Sequence, residues 1–297
     1  MPTSPSSLNP SARPLLAMIG AGNMGGAIVR GAIATGVLAP GEILVVEPDA
    51  SRRSAMAALG VRALASPGSL EGASTLLLAV KPQYFAEAAA ALPRLPAATV
   101  VISIMAGLDS THIRSALGGE VRVVRAMPNT PCQVGAGMTA IALGAGAVPG
   151  DEALAVRLFA AIGSTEVVDE ALMHAVTAVS GSGPAYLFHL AEAMEAAARS
   201  LGFSGEQARR FVTQTLLGAS RLLAESADDP ARLRQAVTSK GGTTEAALGV
   251  MASRGFAEIV AQALTAARDR GAALARGNAP DAATPGRDRG TRSAGAP

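Results

Sequence analysis

Hydrophobic positions change their spacing once along the chain, near residue 169, and the change divides the sequence into two parts. In the first part, short apolar runs alternate with Ala-rich amphipathic segments at 23–36, 50–59 and 83–92. The runs that predict strands are LLAMIG, EILVVE, STLLLAV, ATVVISI, VRVVRAM and STEVVD. Strands that alternate with helices form mostly parallel sheets covered on both faces, so this part predicts an α/β fold with a doubly wound sheet.

The second part carries only helical signals. Segments of helical length follow Glu170 at 184–201, 205–226, 230–237, 243–252 and 255–275. In the first of them, Leu187, Leu190 and Met194 recur at helical spacing. The pattern predicts an all-helical second domain, whose apolar surface either forms one bundle core or packs against another subunit.

The predicted domain limits follow from these patterns. Residues 14–168 form the sheet domain and residues 169–276 the helical domain. Residues 1–13 and 277–297 are rich in Pro, Ser, Gly, Ala and Arg and lack apolar periodicity, so they cannot bury enough surface to offset their ordering entropy. We therefore expect flexible tails at both ends.

Composition and charge argue against some classes of binding partner for this protein. The chain has 297 residues, 49% of them hydrophobic, and its 25 Lys and Arg against 23 Asp and Glu give a net charge of +2. So small a charge, without a basic cluster, argues against a nucleic acid partner. No apolar stretch reaches the roughly 20 residues needed to cross a bilayer. The N-terminus has no signal-peptide pattern, and the single cysteine fits a reducing compartment, so we expect a cytoplasmic protein that does not bind membranes.

A glycine-rich turn follows the first predicted strand. Gly20-Ala21-Gly22-Asn23-Met24-Gly25 has the G-x-G-x-x-G spacing and opens the first predicted helix. The first glycine permits the tight turn, the second lets a pyrophosphate approach the backbone, and the third packs helix on strand. Phosphates would then lie at the helix N-terminus. In this context the motif predicts a dinucleotide site rather than a plain glycine-rich turn.

The end of the second strand gives two conflicting indications of the coenzyme. Glu47 is placed to bind the adenosine ribose hydroxyls, which favours NAD. Arg52 and Arg53 follow it, and they either neutralise the 2′-phosphate of NADP or form the solvated first turn of a helix. The residues therefore predict NADP or NAD without a preference.

Three more loops end predicted strands at the edge where open α/β sheets bind ligands. Ala79-Val80-Lys81-Pro82 is either a loop that contacts the cofactor or an ordinary turn in which Pro82 begins a helix. Ser103 to Gly107 ends the next strand. In the loop from Met127 to Pro131, prolines stiffen the backbone around Asn129, whose amide is placed to hydrogen-bond a nicotinamide carboxamide.

Two glycine-containing loops precede helices in the second part. In VSGSGPAY, Ser182 is the predicted N-cap, and the glycines serve either close packing on the first domain or catalysis. The segment from Val237 to Glu245 offers hydroxyls, a cation and free N–H groups before a helix. This combination suits a small carboxylate, although a Thr with a downstream Glu is equally a helix capping box.

The other titratable residues give no catalytic or metal pattern, and we predict no metal. Cys132, among prolines and apolar residues, is interpreted as a packing residue. Lys81 and Lys240 are the only lysines, and both lie in the loops described above, which indicates either an active site or a chance result of arginine bias. Three histidines have no companion at metal-ligand or triad spacing and are assigned to the surface or to helix packing: His112, His174 and His189.

Together these segments resemble the pyrroline-5-carboxylate reductase family. The resemblance runs from about Leu15 to Ala275 and rests on six segments in the family's order: IGAGNMGGAI, LAVKPQ, VISIMAGL, VRAMPNTPCQVGAGMTA, AVSGSGPAYLFHLAEAM and VTSKGGTTEAAL. Each segment alone is modest support, but coincidence does not produce six in order.

The resemblance implies an N-terminal Rossmann domain that binds NADPH or NADH and a helical C-terminal domain that forms an intertwined homodimer, with larger homo-oligomers in some members. It also implies reduction of the C=N bond of 1-pyrroline-5-carboxylate to L-proline, the last step of proline biosynthesis. A protonated imine is already a good hydride acceptor, so this chemistry requires positioning and no strong base. That requirement fits the absence of a His or carboxylate dyad in the sequence.

The family's functional positions carry over onto matching residues. Cofactor contacts are expected at Gly20, Ala21, Gly22, Asn23, Met24, Glu47, Ala79, Val80, Lys81, Pro82, Ser103, Ile104, Met105, Ala106 and Asn129. Substrate contacts are expected at Glu170, Ser239, Gly241, Gly242, Thr243 and Thr244. Ser239 is expected to hold the substrate carboxylate and Thr244 to place its hydroxyl near the ring nitrogen. These two are the expected catalytic residues, and they act by positioning and hydrogen bonding.

Two positions depart from the family pattern. Lys240 stands where members often have Pro, and its cation either assists the carboxylate or faces solvent. Glu47 stands where NADP-preferring members place a small hydroxyl residue, which weakens the expectation of NADP preference.

Two other functions fit part of the sequence. β-Hydroxyacid and imine dehydrogenases share the N-terminal glycines and a helical second domain. The hydroxyacid enzymes need a Lys on the long helix, however, and Pro184 to Leu201 contains none. A catalytically silent nucleotide sensor would need no carboxylate loop, so the SKGGTT segment argues against it.

Overall fold

The computed structural model describes residues 14–68, 70, 72–275 and 277, and its first part is built on one eight-stranded sheet. The predicted tails, residues 1–13 and 277–297, lie outside the described residues except for Gly277. The strands are β1 (Leu16–Ile19), β2 (Ile43–Val46), β3 (Arg62–Leu64), β4 (Thr75–Leu78), β5 (Val100–Ser103), β6 (Arg122–Met127), β7 (Gly137–Leu143) and β8 (Gly163–Val167). The helices of this part are α1 (Asn23–Ala34), α2 (Ala50–Ala57), α3 (Phe85–Ala91), α4 (Ser110–Ala116) and α5 (Ala153–Ala160).

The sheet is doubly wound. Its strand order is β3-β2-β1-β4-β5-β6-β7-β8, and neighbours are parallel except for the antiparallel pair β6 and β7. The order reverses between β1 and β4, which creates the crevice where open α/β sheets bind ligands. The predicted fold of this part is confirmed.

Both faces of the sheet are covered by helices. Met18 of β1 lies in a core cluster with Ile28 of α1 and Phe159 of α5. The adjacent residue, Ala17, lies in a second cluster with Phe85 of α3. Successive side chains of a strand point to opposite faces, so burial on both sides explains why the predicted strands are continuous apolar runs.

In the sheet part of the chain, two strands and two helices were not among the sequence predictions. β3 is a short edge strand with no buried residue, and β7 begins with Gly137 and is otherwise rich in Ala, so neither has a strong strand pattern. β7 is nevertheless well buried, with Thr139 fully inaccessible, because β6 and β8 flank it. The helices α4 and α5 were also missed.

The second part is helical, as predicted. It starts with a 3₁₀ turn at Glu170–Leu172 and continues through α6 (Met173–Val176) into a π-helical turn at Thr177–Gly181. The remaining helices are α7 (Gly183–Ser200), α8 (Gly205–Glu225), α9 (Pro230–Ala236), α10 (Thr243–Ser253) and α11 (Phe256–Ala275). Ser182 is the N-cap residue of α7, as predicted. Its side chain makes no capping hydrogen bond, because its backbone angles are helical and the helical path enters α7 through the π-helical turn.

The long helices bury few residues. From α7 to α11, the buried positions are Ala208, Val212 and Gly271. Large apolar side chains stay exposed on all the long helices, among them Phe188, Phe211, Leu222, Val250, Phe256 and Ile259. No helix in the described part of the chain is long and apolar enough to cross a membrane.

Candidate functional site

The loop after β1, from Gly20 to Gly25, is called the glycine cradle, because three of its residues have no side chain. Gly20 has a φ of +95°, and a Cβ there would lie 2.7 Å from the Ala79 carbonyl oxygen of the next strand. Gly25 packs just as closely on the Gly20 carbonyl, so helix and strand approach as the motif requires. A Cβ on Gly22 would instead meet nothing within 4 Å. The open space at Gly22, at the N-terminus of α1, fits the pyrophosphate of a dinucleotide.

Glu47 ties the end of β2 to this cradle. Its side chain is buried, and one carboxylate oxygen, Oε2, accepts a hydrogen bond from the Ala21 amide at 2.7 Å. The other, Oε1, accepts from the Asp49 amide at 3.0 Å. The carboxylate therefore fixes the glycine loop and places a negative charge beside it.

The two arginines that follow are arranged differently from each other. Arg53 donates from Nη1 to the carbonyl oxygens of Glu47 and Pro48, so its guanidinium is held against the backbone. Arg52 is more than half exposed, and its Nη1 lies 3.9 Å from the Glu47 carboxylate. Asp49 caps α2, and hydrogen bonds from the Ser51 hydroxyl and the Arg52 amide lower its pKa. The first turn of α2 thus has an ordinary capped and solvated form.

The loops after β4 and β5 border the same edge. Lys81 is exposed and precedes a 3₁₀ turn that begins at Pro82, while Ala79 and Val80 are half-buried. After β5, the Met105 amide donates to the Ser103 hydroxyl at 3.3 Å, and the Met105 side chain is buried. Since Met105 faces the core, a ligand at this edge would meet its backbone and the neighbouring Ile104 and Ala106, which are half-buried.

Asn129 connects the loop after β6 with the helical part. Its Oδ1 accepts from the Met138 amide at 2.9 Å, and its Nδ2 donates to the carbonyl and hydroxyl oxygens of Ser180, both at 3.3 Å. The predicted contact of this amide with a nicotinamide stays a prediction. Within the chain, the amide bridges the sheet edge and the π-helical turn. Ser180 was not predicted, although it lies in the VSGSGPAY segment that the sequence singled out.

Glu170 joins three elements where the helical part begins. Its Oε2 accepts from the Ser110 hydroxyl at 2.7 Å and its Oε1 from the Ser110 amide at 3.1 Å. The Nη1 atom of Arg125 lies 3.5 Å from Oε1, and the Arg125 side chain is only 5% exposed. Burial lowers the pKa of the Arg125 guanidinium, and the Glu170 charge opposes that shift. In this chain the carboxylate is engaged by protein groups, so a substrate contact of Glu170 stays a prediction.

The predicted carboxylate loop, Ser239 to Thr244, lies between α9 and α10 on the surface of the helical part. Ser239, Lys240, Gly241 and Thr243 are exposed, and Gly242 and Thr244 are half-buried. The Gly241 amide donates to Glu245 at 2.6 Å and the Gly242 amide to the Ser239 carbonyl at 3.0 Å. Gly242 is the N-cap of α10, without a side-chain capping bond, so the structure does not contain the Thr capping box that the sequence left open as an alternative.

This loop is not brought to the nucleotide edge within one chain. α10 packs mainly on α11, and the hydrogen bonds of residues 238–245 within the described part of the chain stay within α9, the loop and α10. Of the predicted site residues, the glycine cradle, Glu47, the loops after β4 and β5, and Asn129 gather at one sheet edge. The residues from Ser239 to Thr244 form a separate group.

Metal and nucleophile chemistry find no support in the described part of the chain. It holds no group of three or more His, Cys, Asp or Glu that would bind a metal ion. Cys132 is buried, and burial raises the pKa of its thiol, which confirms the packing interpretation. His189 is exposed beside Glu192, and the His112 ring lies 6.0 Å from that of Phe85.

Comparisons with known proteins identify the family. Residues 170–274 match the family model described as pyrroline-5-carboxylate reductase dimerisation, and residues 15–107 match one described as NADP oxidoreductase coenzyme F420-dependent. The pyrroline-5-carboxylate reductase of Escherichia coli (strain K12) is 36% identical over 264 residues, covering 88% of this chain and 98% of the relative. The chain belongs to the pyrroline-5-carboxylate reductase family. The resemblance drawn from the six motifs is confirmed.

Solved structures of the pyrroline-5-carboxylate reductase family share this architecture. The reductase from Coxiella burnetii is 35% identical with a TM-score of 0.79, and the match covers 89% of this chain and 99% of that one. The Plasmodium falciparum enzyme, solved with NADP bound, is 25% identical with a TM-score of 0.77, covering 88% and 97% of the two chains. The first part of this chain is therefore Rossmann-like, and the second carries the family's dimerisation domain.

Proposed function

We propose that this protein reduces the C=N bond of 1-pyrroline-5-carboxylate to give L-proline, the last step of proline biosynthesis. The observation that carries the proposal is the open glycine cradle at the sheet edge, in a chain that spans 98% of the E. coli reductase. NADPH or NADH supplies a hydride to the imine carbon. In this proposal residues 14–168 bind the coenzyme, and residues 169–276 bind the substrate and form the dimer.

The residues act by binding and orientation. The free N–H groups at the start of α1 bind the coenzyme phosphates, and the backbone after β4 and β5 borders the rest of the dinucleotide. Glu47 faces the ribose end. A protonated cyclic imine needs no further activation, so the protein needs no strong general base.

The substrate carboxylate binds at the start of α10. The Gly241 and Gly242 amides already have protein acceptors, whereas those of Thr243 and Thr244 lie in the first helical turn, where no intrahelical carbonyl accepts from them. These two amides, with the hydroxyls of Ser239 and Thr244, form a small anion site. The Lys240 cation adds favourable charge at its rim.

The carboxylate loop meets the coenzyme of the partner subunit in a homodimer. Within one chain this loop is exposed and makes only local hydrogen bonds. The large apolar side chains exposed on α7, α8, α10 and α11 require cover, and a second copy of the dimerisation domain provides it. We also propose that the dimers assemble into larger homo-oligomers and that the protein is cytoplasmic. It has neither nucleic acid nor a membrane as a partner in this proposal.

Replacing Thr244 by Ala tests the substrate loop. We expect kcat/KM for the imine to fall by about 10- to 100-fold, because a hydrogen bond at the reaction centre is lost, while coenzyme affinity is unchanged. Ser253→Ala, at the far end of α10, is the control and should behave as wild type. Steady-state rates and a fluorescence titration with NADH measure both quantities. Normal turnover by Thr244→Ala would remove this residue from the site.

A panel of substrates separates the proposal from its rivals. The reductase should consume NADPH or NADH with 1-pyrroline-5-carboxylate and should not oxidise β-hydroxyacids with the oxidised coenzymes. Oxidation of a β-hydroxyacid would favour the dehydrogenase alternative. Tight coenzyme binding with no turnover of any imine would favour a nucleotide sensor.

A further inference from the structure

The orientation of the Asn129 amide is fixed by its partners. The Met138 amide only donates and the Ser180 carbonyl only accepts, so Oδ1 faces Met138 and Nδ2 faces Ser180. Both donor contacts of Asn129 Nδ2 go to Ser180, so the donor end of this amide is directed at the helical part. A side-chain hydrogen bond to the nicotinamide is then better supplied by another residue.

The Ser180 hydroxyl is the candidate for that donor. Its oxygen accepts from Asn129 Nδ2, which has no lone pair to receive a proton in return. The Ser180 hydroxyl proton must therefore point elsewhere, and among the described residues no acceptor receives it. Ser180 is half-buried, at the seam between the loop after β6 and the helical part.

The π-helical turn holds Ser180 in this place. The Ser182 amide donates to the Thr177 carbonyl at 2.8 Å, five residues back, and the Tyr186 hydroxyl donates to the Ala178 carbonyl at 3.0 Å. A Cβ on Gly181 would lie 2.6 Å from the Met127 Cε, so the turn packs directly against the end of β6. Turns of this type are frequent at functional sites, since they aim one side chain without ending the helix.

We propose that Ser180 donates a hydrogen bond to the carboxamide oxygen of the nicotinamide, and that Asn129 is the positioning residue that turns the Ser180 hydroxyl toward it. This inference rests on the proposed function, because it assigns the nicotinamide end of the coenzyme to the loop after β6. It assigns Asn129 a role through Ser180 in place of a direct contact.

Coenzyme binding by variants tests the assignment. Ser180→Ala loses the donor. In Asn129→Asp, the new carboxylate oxygen accepts from the Ser180 hydroxyl and turns its proton away from the ligand. We expect each variant to bind NADH about 3- to 10-fold more weakly, as for the loss of one neutral hydrogen bond, with the double variant no weaker than either single one. Ser182→Ala, two residues along, is the control and should bind NADH as wild type does.

Two further ligands identify the atom involved. ADP-ribose lacks the nicotinamide, so wild type and Ser180→Ala should bind it equally. The thionicotinamide analogue of NADH replaces the carboxamide oxygen by sulfur, a weak acceptor, so the difference between the two proteins should shrink to less than about 2-fold.

Three results would overturn the proposal. They are unchanged NADH affinity in Ser180→Ala, an equal loss for NADH and ADP-ribose, and additive losses in the double variant. Fluorescence or calorimetric titration needs no turnover, so a failure of the reductase assignment would appear separately, as bound NADH that 1-pyrroline-5-carboxylate does not oxidise.

Discussion

At the scale of single residues, the most informative side chain is Glu47. A carboxylate at the end of β2 is the usual ligand of the adenosine ribose hydroxyls and repels a 2′-phosphate. In this chain its carboxylate also accepts a hydrogen bond from the Ala21 amide at 2.7 Å. Glu47 therefore fixes the conformation of the glycine loop and places a negative charge beside it. The Arg53 guanidinium is held by backbone carbonyls, while the exposed Arg52 guanidinium lies 3.9 Å from the Glu47 carboxylate and offsets part of its charge.

Neutralising Glu47 should shift coenzyme preference toward NADPH. Glu47→Gln removes the charge and keeps one oxygen that can accept from the Ala21 amide, although its NH2 group cannot accept from the Asp49 amide. Glu47→Ser removes the charge and both of these acceptors. We expect the ratio of kcat/KM for NADPH to that for NADH to rise by about 10-fold or more in Glu47→Gln, consistent with the loss of one charge repulsion. Parallel steady-state rates with both coenzymes measure the ratio. An unchanged ratio in both variants would show that Glu47 does not select the coenzyme.

Residues in short sequence motifs could be predicted from the sequence. Contacts between residues that are distant in the chain could not. The glycine spacing reports directly on a turn and a helix start, and Gly20 and Gly22 have the backbone geometry that the motif requires. The bonds between Asn129 and Ser180, 51 residues apart, and between Ser110 and Glu170, 60 apart, depend on tertiary contact. Neither pair leaves a periodic pattern in the chain.

At the scale of elements, the junction between the two parts depends on a charge pair between the buried Arg125 and the half-buried Glu170. Ser110 at the start of α4, Arg125 on β6 and Glu170 before α6 meet there. Continuous apolar runs made the buried strands predictable, whereas β7 was missed because its burial comes from neighbours and not from its own composition. The π-helical turn was missed for a similar reason, since its form is set by contacts with β6 and α11.

Removing Glu170 should destabilise the protein by roughly 3 kcal/mol, because the buried Arg125 charge loses its partner. Glu170→Ala is the test, with urea unfolding as the measurement. Adding Arg125→Met should recover much of the loss, since the unpaired charge is then gone. A double variant that loses the sum of both single effects would contradict this account of the junction.

The cap of α4 should make stability depend on acid pH. Burial acts to raise the pKa of Asp109, but the His112 amide and the Thr111 hydroxyl bind its carboxylate, and the pKa is lowered overall. The stabilisation is therefore complete above the unfolded-state pKa and is lost as pH falls through the folded-state value. Asp109→Ala should lower the free energy of unfolding by about 1 kcal/mol at neutral pH and by less near pH 3. Urea midpoints at both pH values measure this, and an equal loss at both would contradict it.

At the scale of the whole molecule, we propose that the two halves of the site come from different subunits. The predicted coenzyme contacts lie at one sheet edge within one chain. The loop from Ser239 to Thr244 lies instead among helices that have few or no buried residues. Helical periodicity predicted these helices, and the sequence left open whether their apolar faces form one core or meet another subunit. The exposed faces of α7, α8, α10 and α11 favour the second alternative.

A charge on the exposed apolar face of α11 should separate the subunits. Ile259 is 58% exposed in the chain, and Ile259→Glu should convert the dimer to monomer and remove activity, because burying an unpaired carboxylate is costly. Val148→Glu, at a residue 48% exposed in a loop of the sheet part, is the matched control and should leave both unchanged. Light scattering after size-exclusion chromatography gives the mass. A fully active monomer would contradict the shared site.

Conversion of 1-pyrroline-5-carboxylate to proline with a reduced nicotinamide coenzyme is the activity proposed for this chain. The most direct test follows the loss of nicotinamide absorbance in the purified protein with this imine, with NADPH and NADH in parallel, and quantifies the proline formed. The account predicts one L-proline for each coenzyme oxidised. Coenzyme that binds and is not oxidised, or that is oxidised without proline, would contradict it.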